Sequence, residues 1–200
     1  LRRLVESNTS EFGPVQGILH LLPLDCEDGE ATLAAWQSES QKTVHGLFHL
    51  LQASGEQVAV AIALTGFGGR CGRDKFGTDL LRAATGGVHG VLRTFAAETG
   101  ALTRTIDIDR ALTPKEVATI VIDELLYGSA EACEIGYDKG ERISFMPEQE
   151  EASRPGTGWK PGAGSVVLLT GGARGITALA AEDLAAPGVH LVLIGREVID

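Results

Sequence analysis

The sequence is poor in the features that would tie it to an oxidising compartment, a membrane or a nucleic acid. Its three cysteines, Cys26, Cys71 and Cys133, are odd in number, far apart and in no metal-like spacing. That favours free thiols in a reducing compartment over a disulfide framework. Long apolar runs are missing. The longest, residues 58–64, is far below the roughly 20 residues needed to cross a bilayer. The opening Leu1-Arg2-Arg3-Leu4-Val5 contains no stretch long enough for a secretory signal. Basic charge is also scarce: 17 Lys and Arg face 27 Asp and Glu, for a formal net charge of −10. Such a surface repels phosphate backbones, and no local basic stripe offsets it. The expectation is a cytoplasmic protein with neither nucleic acid nor membrane as partner.

What is present fits a folded α/β protein. Hydrophobic residues make up 44% and charged residues 22% of 200 residues, enough for one or two domains with a sizeable core. Both ends fall in mid-pattern, so the chain is expected to be a piece of something longer. Residues 15–22 read as a buried strand after Pro14, and residues 29–53 are helical in period, with Leu33, Trp36, Val44, Leu47, Phe48 and Leu51 on the apolar side. Residues 57–64 form an almost pure Val/Ile/Ala/Leu run, suited to a strand covered on both faces. Glycines at 66, 68, 69, 72 and 77 mark a loop. A helix over 84–98 and an alternating strand over 105–109 follow. Thr113-Pro114-Lys115-Glu116 predicts a helix start, with Thr as N-cap, Pro at the first position and Glu three residues after the cap. That helix should run to Tyr127 and end at Gly128. Short strands are expected near 132–137 and 142–145. Between 147 and 164 the pattern gives way to Glu, Ser, Pro and Gly, which reads as a linker. The boundaries are therefore a first unit at 1–147, a linker at 148–164 and a second unit at 165–200. Alternation of strand and helix argues for a parallel α/β sheet of Rossmann-like type.

The second unit restarts sharply, with a strand over 165–170, a helix over 176–186 and a strand over 189–194. Between the first strand and the helix lies Thr170-Gly171-Gly172-Ala173-Arg174-Gly175-Ile176-Thr177, where a phosphate loop must sit. Glycines allow a tight turn and close approach of a pyrophosphate, and a helix N-terminus supplies N–H groups and partial positive charge. A glycine turn that merely joins strand to helix would explain the glycines, but not the full strand–loop–helix–strand context. The second strand closes on Gly195-Arg196. An acidic residue there would hydrogen-bond the 2′-hydroxyl of NAD, whereas arginine accommodates the 2′-phosphate of NADP. Arg196 favours NADP(H), with Arg174 as a helper through charge-assisted bonds, although Glu197 follows directly.

These residues, 166–177 and then 191–196, resemble the start of the ketoreductase domain of type I polyketide synthases. The Gly-Gly-Ala-Arg-Gly-Ile-Thr wording is most similar to the polyunsaturated-fatty-acid and enediyne-like branch. Such domains belong to the short-chain dehydrogenase/reductase superfamily, whose usual loop is Thr-Gly-x-x-x-Gly-x-Gly. Thr170, Gly171 and Gly175 match it; Thr177 replaces the last glycine, so helix and strand are expected to pack less closely there. The resemblance extends to residues 86–98 with 105–109, similar to the helix-then-strand segment of the family's N-terminal structural subdomain, and to residues 134–142, similar to its closing hairpin. It implies a truncated, non-binding pseudo-Rossmann subdomain followed by the first β-α-β of an NADP(H)-binding Rossmann subdomain. It also implies reduction of a β-ketoacyl group on an acyl carrier protein, with neighbouring synthase domains as partners and any homo-oligomer formed through the parent protein. The family's Ser, Tyr and Lys would lie beyond Asp200, so no catalytic residue is assigned. The rival expectation is a non-catalytic Rossmann-like scaffold or nucleotide-binding module.

Several other features compete for attention. Residues 65–72 also follow a buried strand and imitate a cofactor loop, but no clean helix starts directly after them. His45 and His49 share a helix face without a third ligand. Asp107 and Asp109 read as a solvent-facing strand edge, since nothing nucleophilic or basic lies beside them. Cys71 sits near Arg70 and Arg73, which would lower a thiol pKa; without a partner His it is read as an ordinary thiol.

Overall fold

The computed structural model describes residues 1–26, 29–73, 80–129, 133–146, 148–149 and 159–195. It divides into two units, Leu1–Glu148 and Gln149–Asp200. Most of the stretch expected to be a linker, 148–164, lies outside the described residues.

In the first unit the Val/Ile-rich and alternating segments form one five-stranded sheet, ordered β1 (Gly17–His20), β2 (Val60–Thr65), β3 (Leu102–Ile108), β4 (Glu134–Asp138) and β5 (Glu141–Ser144). The first four strands are parallel and β5 returns antiparallel. Its hairpin turns through Lys139 and Gly140, with φ of 49° and 85°, the left-handed pair that matches strand twist. Alternation along β2 divides the core. Ala61 and Ala63 pack with Ile18, Leu47, Leu51, Val88 and Leu92 on one face, whereas Ile62 and Leu64 pack with Ile106, Ile108 and Val121 on the other. Helices α3 (Gly46–Ser54) and α5 (Val88–Thr99) therefore cover the first face and α6 (Pro114–Tyr127) the second. The predicted capping box opens α6: the Glu116 amide donates to Thr113 Oγ1 at 3.4 Å and the Thr113 amide to Glu116 Oε2 at 2.7 Å.

Three local features depart from expectation. An N-terminal helix, α1 (Arg2–Phe12), precedes the first strand, and β1 is only four residues long, ending in a 3-10 turn at Leu22–Asp25. The helical stretch after Thr32 is α2 (Leu33–Ser40) joined to α3 through a π turn, Gln41–His45. Here His20 Nε2 lies 2.9 Å from the Thr43 carbonyl oxygen, and both residues are buried. The helix over 84–98 starts later, at Val88, after the short α4 (Leu80–Ala83).

On the second face a buried charge cluster joins three elements. Glu124 of α6 is 2% exposed and Arg104 of β3 is 1% exposed, with Arg104 Nη1 3.5 Å from Glu124 Oε2. Arg104 also donates to the Glu124 carbonyl, and Arg142 Nε donates to Glu124 Oε1. Tyr137 donates its hydroxyl to the same carboxylate at 2.8 Å. Burial pushes the Glu124 carboxyl up, but hydrogen bonds from Arg142 and Tyr137 and the arginine charges outweigh it and leave the group below its ordinary range. Burial and the Glu124 bond push the Tyr137 phenol up to about 12. Tyr127 is exposed at the end of α6. No helix among the described residues is long and apolar enough to cross a membrane.

The second unit is a single β-α-β: β6 (Val166–Thr170), α7 (Gly175–Leu184) and β7 (His190–Ile194), with the two strands parallel.

Two stability measurements test the first unit. Glu124→Ala leaves Arg104 buried without its carboxylate and should cost about 3–5 kcal/mol in urea unfolding; Arg142→Ala, at a side chain 39% exposed, should cost much less. Equal losses would contradict the cluster. Burial lowers the pKa of His20 and of His89 below 6.5, so below about pH 6.5 the unfolded chain takes up protons that the folded one resists. Thermal stability should therefore fall as pH drops below that value, and His20→Gln should flatten the slope; stability that rises on acidification would refute this.

Candidate functional site

Two glycine-rich loops leave the C-terminal ends of parallel strands, one in each unit. The loop after β6 is built for close approach. Gly171, Gly172 and Gly175 have φ of 118°, 81° and 57°, a region where an L side chain is strained. The amides of Gly171 and Gly172 both donate to the Ile194 carbonyl at 2.9 Å, which ties the loop to the end of β7. A Cβ on Gly195 would stand 2.8 Å from Gly172 Cα, so glycine is required where the two backbones meet. A Cβ on Gly171 would lie 2.7 Å from Thr177 Oγ1. Thr177 Oγ1 thus lies against the glycine at the start of the loop.

Helix α7 begins at once after this loop. Arg174 is its N-cap in extended conformation, and the first-turn amides from Gly175 to Thr177 have no acceptor within the helix. Thr170, Ala173, Arg174 and Ile176 are exposed, and nothing lies within 4 Å of the place a Gly175 Cβ would take. The loop therefore offers oriented N–H groups, a helix N-terminus and open space, the attributes of an anion site. The structure brings Thr170, Gly171, Gly172, Ala173, Arg174, Gly175 and Ile176 together in this one turn. Arg196 lies outside the described residues.

The loop after β2 is the opposite case. Its anion is part of the chain. Asp107 does not face solvent: β3 lies between β2 and β4, and Asp107 is fully buried. Its Oδ1 accepts from Thr65 Oγ1 and the Phe67 amide at 2.7 Å each, and its Oδ2 from the amides of Gly69 at 2.7 Å and Cys71 at 2.8 Å. Asp107 pairs across the sheet with Thr65 on one side and Gly136 on the other, and the loop folds back over that row. A Cβ on Gly69 would collide with the Tyr137 carbonyl, and one on Gly136 with the Gly69 carbonyl. Arg70 Nε reaches Asp138 Oδ2 at 2.8 Å and Arg73 Nη2 reaches Glu134 Oε2 at 2.7 Å. These contacts also correct the reading of Cys71. Burial and the nearby Asp107 push its thiol up to about 12, against the opposing pull of Arg73. Asp109 only closes a local turn, accepting from the Ala111 amide at 3.0 Å. His45 is exposed beside Gln41, and no group of three or more His, Cys, Asp or Glu that could hold a metal occurs among the described residues.

The described sheet of the first unit runs β1 to β5 in sequence order.

No protein-family model matches the chain, and no curated protein matches it. Among solved structures it is similar to a multidomain structure of a keto acid-selecting NRPS module with adenylation, ketoreductase and pseudo Asub domains. The TM-score is 0.63 at 18% sequence identity, and the match covers 98% of this chain but only 17% of that one. The likeness establishes the fold: a mixed α/β, Rossmann-like architecture.

Gly69→Ala, and separately Gly136→Ala, should each cost about 3 kcal/mol or more in denaturant unfolding, since each would place a methyl group against backbone. Losses under half of that in both variants would show that the loop does not press on β4 as described.

Proposed function

We propose that the chain is part of an NADPH-dependent β-ketoacyl reductase domain of a multidomain synthase, converting a β-ketoacyl group on an acyl carrier protein to a β-hydroxyacyl group. The observation that carries this reading is the loop from Thr170 to Gly175, set between two parallel strands and opening directly into α7. On this reading the amides at the start of α7 hold the cofactor pyrophosphate, while Arg196, helped by Arg174, holds the 2′-phosphate. The bound nicotinamide supplies the hydride. Gly171, Gly172 and Gly195 keep the loop low enough for that approach. On the same reading the first unit takes no cofactor of its own.

Two further observations favour the reading. Val166, Leu168, Val192 and Ile194 are exposed on the two-stranded sheet, and a doubly wound sheet of full width buries such residues on both faces. The similar NRPS module also includes a ketoreductase domain among its parts.

The test is a fluorescence titration with NADPH of the protein carrying the complete second domain, with NADH and Arg196→Ala as controls. NADPH should bind well and NADH poorly, and Arg196→Ala should weaken NADPH by about tenfold or more, the size of a lost charge-assisted bond. No NADPH binding would leave a scaffold in place of a reductase.

A further inference from the structure

The loop after β2 has the construction of an anion site without a vacancy. Gly68, Gly69 and Gly72 have φ of 92°, 88° and 69°, and Cys71, an L residue, is held at 53°. Turns that mix right- and left-handed residues direct successive backbone N–H groups toward one point and make an anion-binding concavity. Here three amides, from Phe67, Gly69 and Cys71, converge with the Thr65 hydroxyl on two oxygens, all at 2.7–2.8 Å. Four donors on one fully buried carboxylate is the coordination expected of a bound oxyanion. The strand partners show what closes the site. Thr65 and Thr170 are each the last residue of their strand and each precedes a glycine loop. Across from Thr65 stands Asp107; across from Thr170 stands Ile194.

We propose that residues 65–72 form an oxyanion cradle that the chain itself occupies with the Asp107 carboxylate, and that removing this side chain leaves a binding site for a small carboxylate anion. The carboxylate holds the donors that a phosphate group would need, so it both locks the loop onto β4 and denies the first unit a nucleotide. This concerns the first unit alone and stands whether or not the second binds a cofactor. Formate is the probe, because it matches the excised group in charge and in its pair of acceptor oxygens.

Asp107→Ala should lower the thermal midpoint by about 5 °C or more. Sodium formate should restore at least half of that loss relative to sodium chloride at matched ionic strength, and should leave the unsubstituted protein no more stable than chloride does. Equal effects of the two salts on the variant would overturn the proposal. Should the variant not fold, hydrogen exchange on the unsubstituted chain decides. The amides of Phe67, Gly69 and Cys71 should be protected at least a hundredfold over exposed loop amides. Exchange at the exposed-loop rate would overturn it.

Discussion

The first unit is organised around a single carboxylate. Asp107 sits near the end of the central strand, between Thr65 and Gly136 in the sheet register, and its two oxygens gather four donors from the loop over 65–71. Burying an ion without partners would be prohibitive; with four short bonds it instead fixes where the loop runs. That path then dictates sequence elsewhere. The loop lies on β4, so Gly69 and Gly136 must be glycines. Phe67 is carried to within 6.4 Å of the His89 ring on α5. Arg73 is carried to Glu134, which Arg93 also reaches at 3.1 Å. Burial pushes the Glu134 carboxyl up, but the Arg73 bond and the charges of His89, Arg73 and Arg93 outweigh it and keep it below its ordinary range.

The other face of the sheet repeats the logic with the signs arranged differently. Arg104 is a buried cation in the middle of the same strand, and its carboxylate partner comes from α6, which the capping box at Thr113 starts in the right place. Gly128, directly after that helix, leaves room for the guanidinium. Strand β3 thus carries one buried ion on each face, an anion met by a loop and a cation met by a helix. Such pairs add little net stability over an apolar core, but each penalises any register in which its partner is absent.

What could be read in the sequence and what could not follows this division between local and distant partners. The start of α6 was legible because Thr113, Pro114 and Glu116 are all signals within four residues. The strand over 57–64 was legible for the same reason, and so was the loop from Thr170 to Gly175, whereas the closing hairpin was read through the family resemblance of residues 134–142. Asp107 was misread because Thr-Ile-Asp-Ile-Asp alternates in the same way at a wet edge and in a central strand whose polar row is covered. The covering donors lie some forty positions earlier. Cys71 failed with it: the neighbouring arginines argue for a low pKa, and only the fold puts Asp107 and burial on the other side. The π turn at Gln41–His45 left no trace because the apolar period runs through it, and α1 went unseen because Val5 is its one buried residue.

The pair of glycine loops shows why a loop motif cannot be judged from the loop. Both open with Thr-Gly at the end of a parallel strand, and both use positive-φ glycines to turn amides inward. Their fates diverge at the facing residue of the next strand. Asp107 brings its own carboxylate into the first loop and takes the Thr65 hydroxyl and the amides of Phe67, Gly69 and Cys71. Ile194 brings only a backbone carbonyl to the second, which takes the amides of Gly171 and Gly172 and leaves the first turn of α7 to be met from outside. The following helix amplifies the difference, since α7 begins immediately with its positive end at the loop. The group that faces the loop from the next strand thus separates the two: a side-chain carboxylate in the first, a backbone carbonyl in the second.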